Sequence, residues 1–248
     1  MVMSFLDEVG IPSEEIPVRD SKTPDLLLAR DTPDATLMEL KTKKDNPLAI
    51  KEIDEELDQG GVVSRSQPTS KWNRLDGIIG HAVDQMKHLD PERSVFRTIW
   101  IHCVGLDADL SEMRLKATLY GTQKLFCERR PNIVTCHYFW NSSFFRFRDD
   151  LDGVIISRGD QAQLNLNDHS PKFRSFISSR LAAGFGEAIY YPQQFMDDED
   201  FMYHDSSMLR SSEDEIIGEL RAKYGMELIQ TINLGRHSGM MRIHEYCE

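Results

Sequence analysis

At 248 residues the chain is long enough for one large domain or two small ones, and an apolar content of 40% provides for a real core. No apolar run approaches membrane-spanning length, and the opening MVMSFLDEVG has neither a basic head nor a long apolar segment, so a cytoplasmic protein with no membrane partner is expected. The net charge of −12 argues against a protein that simply coats nucleic acid, yet twelve acids fall in three clusters, at 52–58, 197–200 and 213–215, which leaves the rest neutral with room for a basic face.

In chain order, SFLDEVG (4–10) reads as a short helix stopped by Gly10, and IPSEEIPVRD as an irregular or edge strand broken by prolines. Two strands, 25–29 and 35–41, follow as a hairpin joined by the turn formers of RDTPD. LAIKEIDEELDQGG predicts an acidic helix ended by glycines, and SRSQPTSKWN a polar loop. From 75 to 89, Leu75, Ile78, Ile79, Ala82, Val83, Met86 and Leu89 recur at helical spacing. SVFRTIWIHCVG (94–105) then fits a central strand buried on both faces.

Beyond it, RLKATLYGTQKLFC, NIVTCHYFW, DGVIIS and QAQLNLND read as strands, and SPKFRSFISSRLAAGF as a helix. Ser212 and Glu215 form a capping box for a helix ending at Gly225, and MELIQTINLGRHSGMMRIHEY predicts a closing hairpin around GRHSG. With no internal repeat and no clear linker, a single elaborated α/β domain is expected.

Cys103, Cys127, Cys136 and Cys247 lack CxxC spacing, which gives a structural zinc site little support. Cys127 and Cys136 could meet across a hairpin around ERRPN, but buried free thiols are favoured in a reducing compartment. His81 and His88 sit two turns apart on the amphipathic helix, where lining a cleft or facing water is favoured over binding zinc. DDEDF lacks the ligand spacing of an EF-hand loop, and RGD at 158–160 reads as a tight turn.

The hairpin TPDLLLARDTPDATLMELKTKK carries charge where buried strands should not. With the turn centred on Thr32, Asp25 lies opposite Glu39, and strand periodicity puts Glu39 and Lys41 on one face. Two carboxylates so close repel unless a cation or a proton intervenes. Oxygen-only ligands suit Mg²⁺ or Mn²⁺, and a lysine beside them would orient a water or stabilise charge developing on a phosphodiester.

Pro24 and Asp25, followed by Glu39, Leu40 and Lys41, resemble the motif of the PD-(D/E)xK nuclease superfamily. The order of elements over about residues 4–105 is also similar to that family's core. The resemblance implies a restriction-endonuclease-like three-layer core, a mixed central sheet flanked by helices, within residues 1–110, with 111–248 adding strands and helices to the same domain. It implies a Mg²⁺- or Mn²⁺-dependent nuclease, with DNA above RNA as substrate. Asp25, Glu39 and the Leu40 carbonyl would then bind metal and Lys41 assist the attack. Gln85 takes the place of a residue many members carry on the following helix. A helix-1 glutamate corresponds to Glu8, with Glu14 and Glu15 as alternatives.

For phosphate contact, Lys43, Lys44, Arg65, Lys71 and Arg74 flank the site in sequence, and Arg146 and Arg148 interleave with aromatics in HYFWNSSFFRFRDD. Competing with nuclease function are an inactive nuclease-like assembly module acting through its acidic surface, and a hydrolase of nucleotides or small phosphate esters. A homo-oligomer or a protein partner is compatible with each.

Overall fold

The computed structural model describes residues 2–17, 23–130, 132–204 and 212–242, so Cys247 and the end of the expected closing hairpin lie outside the described residues. The first half runs α1 (Val2–Glu8), β1 (Ser13–Glu15), β2 (Leu26–Leu28), β3 (Thr36–Lys43), α2 (Pro47–Asp58), β4 (Val62–Pro68), α3 (Asn73–Leu89) and β5 (Phe96–Cys103). Next come α4 (Ala108–Tyr120), β6 (Gln123–Cys127), β7 (Val134–His137), α5 (Ser143–Arg146), β8 (Gly153–Arg158) and β9 (Gln161–Leu166). The chain continues through α6 (Phe173–Ile177), α7 (Arg180–Phe185), β10 (Ile189–Tyr190), a 3₁₀ turn (Pro192–Phe195) and β11 (Phe201–Tyr203). The last elements are α8 (Glu213–Tyr224), β12 (Ile229–Ile232) and β13 (Gly235–Met241).

A mixed seven-stranded sheet lies at the centre, in the order β1-β2-β3-β5-β8-β9-β10. β3, β5 and β8 are parallel, while β2 and β9 are antiparallel to their inner neighbours. Every residue of β5 except His102 is buried, as its mostly apolar composition predicts. Helices flank both faces. On one face Leu37, Ile99, Ile101 and Ile156 pack against Ile79 and Val83 of α3 and Leu115 and Leu119 of α4. On the other, Met38, Trp100 and Ile155 pack against Leu6 of α1, Phe176 of α6 and Leu181 of α7.

The 17-residue α3 buries Leu75, Ile79, Ala82, Val83 and Met86 in the stripe its periodicity predicts, and Ser212 and Gly225 bound α8 as expected. Among the described residues no helix is long and apolar enough to cross a membrane. Cys127 and Cys136 are buried free thiols, since the β6–β7 register sets Gln123 opposite Cys136. Arg158 pairs with Gln161, so Gly159 and Asp160 make the tight turn.

Four segments differ from their local pattern. RLKATLY is the end of helix α4, because the strong helix formers preceding Arg114 extend it and Gly121, at φ 57, ends it. The polar SRSQP is strand β4, which pairs with β13 from the far end of the chain. β12 and β13 are therefore not a hairpin: β12 joins β6 in a second sheet, β11-β7-β6-β12, covered by α8. SPKFRSFISSRLAAGF splits into α6 and α7 where the Ser179 hydroxyl caps the second helix.

Gly121 and Gly225 both end helices in the left-handed region, at φ 57 and φ 63, but a Cβ on Gly121 would strike the Trp140 carbonyl while one on Gly225 meets open space. Gly225→Ala should lower stability by about 1 kcal/mol from backbone strain alone. Gly121→Ala should lose clearly more, about 2 kcal/mol or above, in urea denaturation of the two variants side by side.

Candidate metal and phosphate site

Leu26 pairs with Met38, Leu27 with Leu37 and Leu28 with Thr36. That register, continued by one residue, sets Asp25 opposite Glu39. The Leu40 N–H donates to Asp25 Oδ2 at 2.7 Å, which ties the acid to the strand it faces. Because the N–H and C=O of a strand residue share a flank, the Leu40 carbonyl is directed to the same side.

Glu39 is only 2% exposed, although Asp25 is open to solvent. Lys41 Nζ forms an ion pair with Glu39 Oε1 and also donates to Gln85 Oε1 at 3.3 Å. The Gln85 amide nitrogen in turn donates to the Thr23 carbonyl at 3.4 Å, bridging α3 to the residue that precedes the PD pair. Glu39 Oε2 is buried and has no hydrogen-bond partner. Burial, foremost, raises the Glu39 pKa; the Lys41 hydrogen bond and charge oppose this, and the nearby Asp25 carboxylate reinforces it.

The structure thus brings together Asp25, just before β2, with Glu39, Leu40 and Lys41 of β3 and Gln85 of α3. Glu8 is not among them: it is exposed on α1, a helix that packs through Leu6 on the opposite face of the sheet. Glu14 and Glu15 lie on the edge strand β1, where Glu14 pairs with Arg30. Among the described residues no three His, Cys, Asp or Glu side chains converge, so two carboxylates and a carbonyl are the donors present.

The basic candidates divide. Lys43, Arg65 and Lys71 line one cavity of about 340 Å³ together with Arg114 and Trp72, and Arg74 lies close enough to Lys43 to lower its pKa. Lys44 is exposed beside it and offers its carbonyl to Lys43 Nζ at 2.6 Å. Arg146 is instead paired with Asp76 at 2.6 Å, and Arg148 stacks on Phe145 at 4.8 Å and donates to its carbonyl. Arg146 ends the short helix α5, and Arg148 lies in the turn that follows it. Arg114 escaped the sequence pattern because its segment looks strand-like, and Trp72 because it sits in a stretch that reads as polar loop.

Comparison with protein-family models, curated proteins and solved structures finds no match.

The raised pKa of Glu39 has a thermodynamic consequence. A carboxylate whose folded pKa lies above its unfolded value penalises the native state once ionised, and the penalty grows as pH rises from the ordinary glutamate value of 4.5 through the folded pKa. Glu39→Gln should therefore raise Tm at neutral pH, with the gain vanishing below about pH 4.5. Thermal melts of both proteins from pH 3.5 to 8 test this, and a gain independent of pH would contradict the assigned cause.

Proposed function

We propose that this chain is a Mg²⁺- or Mn²⁺-dependent nuclease of the PD-(D/E)xK type with a restriction-endonuclease-like core, hydrolysing phosphodiester bonds in DNA rather than RNA. The observation that carries this is the Asp25–Glu39 pair, with one Glu39 oxygen buried and unpartnered beside a second carboxylate. Leaving a buried acceptor unsatisfied costs about 1–3 kcal/mol, so such an atom calls for a cation or for a proton shared with Asp25, and the all-oxygen donor set beside it favours the cation.

The donor set fits a hard cation, since it consists of oxygens alone: Asp25, Glu39 and the Leu40 carbonyl. When bound, such a cation makes a water more acidic and offsets negative charge on the phosphate. Lys41 acts from the same strand face. Its ammonium, held by Glu39 and Gln85, orients the attacking water and stabilises charge that develops on the phosphodiester. Gln85 is a positioning residue, because it fixes the Lys41 ammonium and is itself anchored to Thr23. The ExK spacing and the order α1, β1, β2, β3, α3, β5, with α2 and β4 inserted between β3 and α3, support the family assignment, and the resemblance favours DNA.

Linear, circular, single- and double-stranded DNA and RNA, each with Mg²⁺, Mn²⁺ or EDTA, form the test panel. Cleavage should require metal. Glu39→Ala and Lys41→Ala should each lower the rate by about 10²- to 10⁴-fold, and Gln85→Ala by about 10- to 100-fold, in keeping with a supporting residue. Cleavage and Mn²⁺ affinity should both rise with pH through the raised Glu39 pKa, because the cation needs the ionised carboxylate. Equal background activity in wild type and variants, with no Mn²⁺ binding by calorimetry, would overturn the catalytic assignment and turn attention to the acidic clusters as a surface for a basic partner.

A further inference from the structure

The cavity at the end of β3 has electrostatics unlike the rest of this acidic chain. Four cationic side chains line it, and each is held by a backbone carbonyl: Lys43 by Lys44, Arg65 by Ala49 at 2.9 Å, Lys71 by Asn141 at 2.6 Å and Arg114 by Pro68 at 2.9 Å. Among the described residues none of the four lies within ion-pair distance of a carboxylate. Elsewhere the arginines pair freely, as Arg93 with Asp152, Arg236 with Asp109 and Arg242 with Asp54.

The two acids on the cavity wall are already engaged. Asp45 Oδ2 accepts the Leu106 and Asp107 N–H groups at 2.6 and 3.3 Å, and Asp107 accepts from the Gln67 amide at 3.1 Å. Four cations against two carboxylates leave the walls positive.

Three helices add to that field. Asn46, Trp72 and Asp107, which line the cavity, are the residues immediately preceding α2, α3 and α4. The positive ends of helices of 12, 17 and 13 residues therefore meet at one place. Neither Trp72 nor Asp107 caps its helix with a side-chain hydrogen bond. The Trp72 ring also fixes two of the cations, with Lys43 Nζ at 5.5 Å and Arg114 Cζ at 4.9 Å from its centroid. Burial lowers the Lys43 pKa, and the charges of Arg74 and Arg114 add to this against Asp45, a strain that a bound anion would relieve.

We propose that this cavity is a phosphate-binding site that grips the substrate strand a few nucleotides from the Asp25–Glu39 centre. The identity of the anion as a nucleic-acid phosphate rests on the nuclease function proposed above; its being a phosphate-sized anion rests on the cavity itself. Lys43, which lines the cavity, shares a strand face with Glu39 and Lys41 and lies four residues along, so its backbone is about 13 Å from that of Glu39. One chemistry has two sources here: a terminal phosphomonoester, or an internal phosphodiester of a strand that runs on.

Binding of labelled single-stranded oligonucleotides of one sequence, bearing a 5′-phosphate, a 3′-phosphate or only hydroxyl ends, is measured by anisotropy in EDTA, where no cleavage occurs. Wild type is compared with the double variant Lys71→Gln/Arg114→Gln and the charge-keeping Lys71→Arg/Arg114→Lys, all first checked for an unchanged melting profile. The Gln variant should bind about tenfold or more weakly, with a salt slope shallower by about one to two, while the charge-keeping variant retains most of the affinity. A wild-type preference for one phosphorylated end, lost in the Gln variant, assigns a terminal phosphate. Equal loss for all three oligonucleotides assigns an internal diester. Wild-type affinity in the Gln variant, or no oligonucleotide binding by wild type at low salt, overturns the proposal. Because this readout needs neither metal nor cleavage, a failure of the nuclease function shows separately, as absent metal-dependent hydrolysis by a protein that still binds.

Discussion

Glu39 lies on the helix-covered face of β3, in line with Leu37, and its charge is tolerated there because the Lys41 ammonium rests against one of its oxygens. Much of the surrounding architecture serves that single contact. The antiparallel register with β2 brings Asp25 to the same spot, where it holds the Leu40 N–H and keeps the strand end in place. α3 crosses above with Gln85 turned down to the lysine, and the other bond of that amide reaches back to Thr23. Asp25, Glu39, Lys41 and Gln85 share partners, so substitutions among them should not be additive.

The same constraint explains why the site is built on strands and a long helix and not on loops. Carboxylates separated by a fixed cross-strand distance can share a ligand only if the sheet does not slip, and a slip of one residue would carry Glu39 to the opposite face. The β2–β3 turn holds the register with residues in the left-handed region, Ala29 at φ 47 and Asp31 at φ 61, braced by Thr32 Oγ1 on the Ala29 carbonyl at 2.7 Å. At the N-terminal ends of the parallel strands, the Asp152 carboxylate accepts the Arg97 N–H at 2.9 Å and pairs with Arg93 at 2.7 Å, which locks β5 to β8. In open α/β sheets ligands generally bind outside the opposite, carboxyl ends of the strands. The basic cavity lies there, beyond Lys43.

Stability and chemistry pull against each other in this arrangement. An ionised, half-satisfied Glu39 weakens the native state, and four cations drawn toward three helix N-termini repel one another. Both are compensated elsewhere by β5 and the apolar layers on either side of it, among which Trp100, Ile99 and Ile101 are almost wholly removed from water. Sites that are under-satisfied in the free protein are the ones that gain most from a ligand, through the linkage between binding and folding.

Local signals carried a large part of this structure. The apolar spacing of α3, the mostly apolar run of β5, the turn of RDTPD and the acids and lysine on period-two positions are properties of neighbouring residues, and they sufficed to place Asp25 opposite Glu39 and Gln85 on the helix behind them. What needed the tertiary structure was everything that depends on residues distant in the chain. β4 looks like a polar loop because its partner, β13, lies at the other terminus, and α4 looks like a strand because LKATLY alternates until its burial against β5 and β8 is known. The convergence of α2, α3 and α4 on one cavity has no sequence signature, since helix dipoles and side-chain cations add only when folding brings their ends together. For the same reason Glu8 reads as a ligand in sequence but sits on the far face of the sheet, and Arg114 reads as ordinary but lines the basic cavity. Periodicity fixes which side of an element a residue occupies; only packing decides what that side meets.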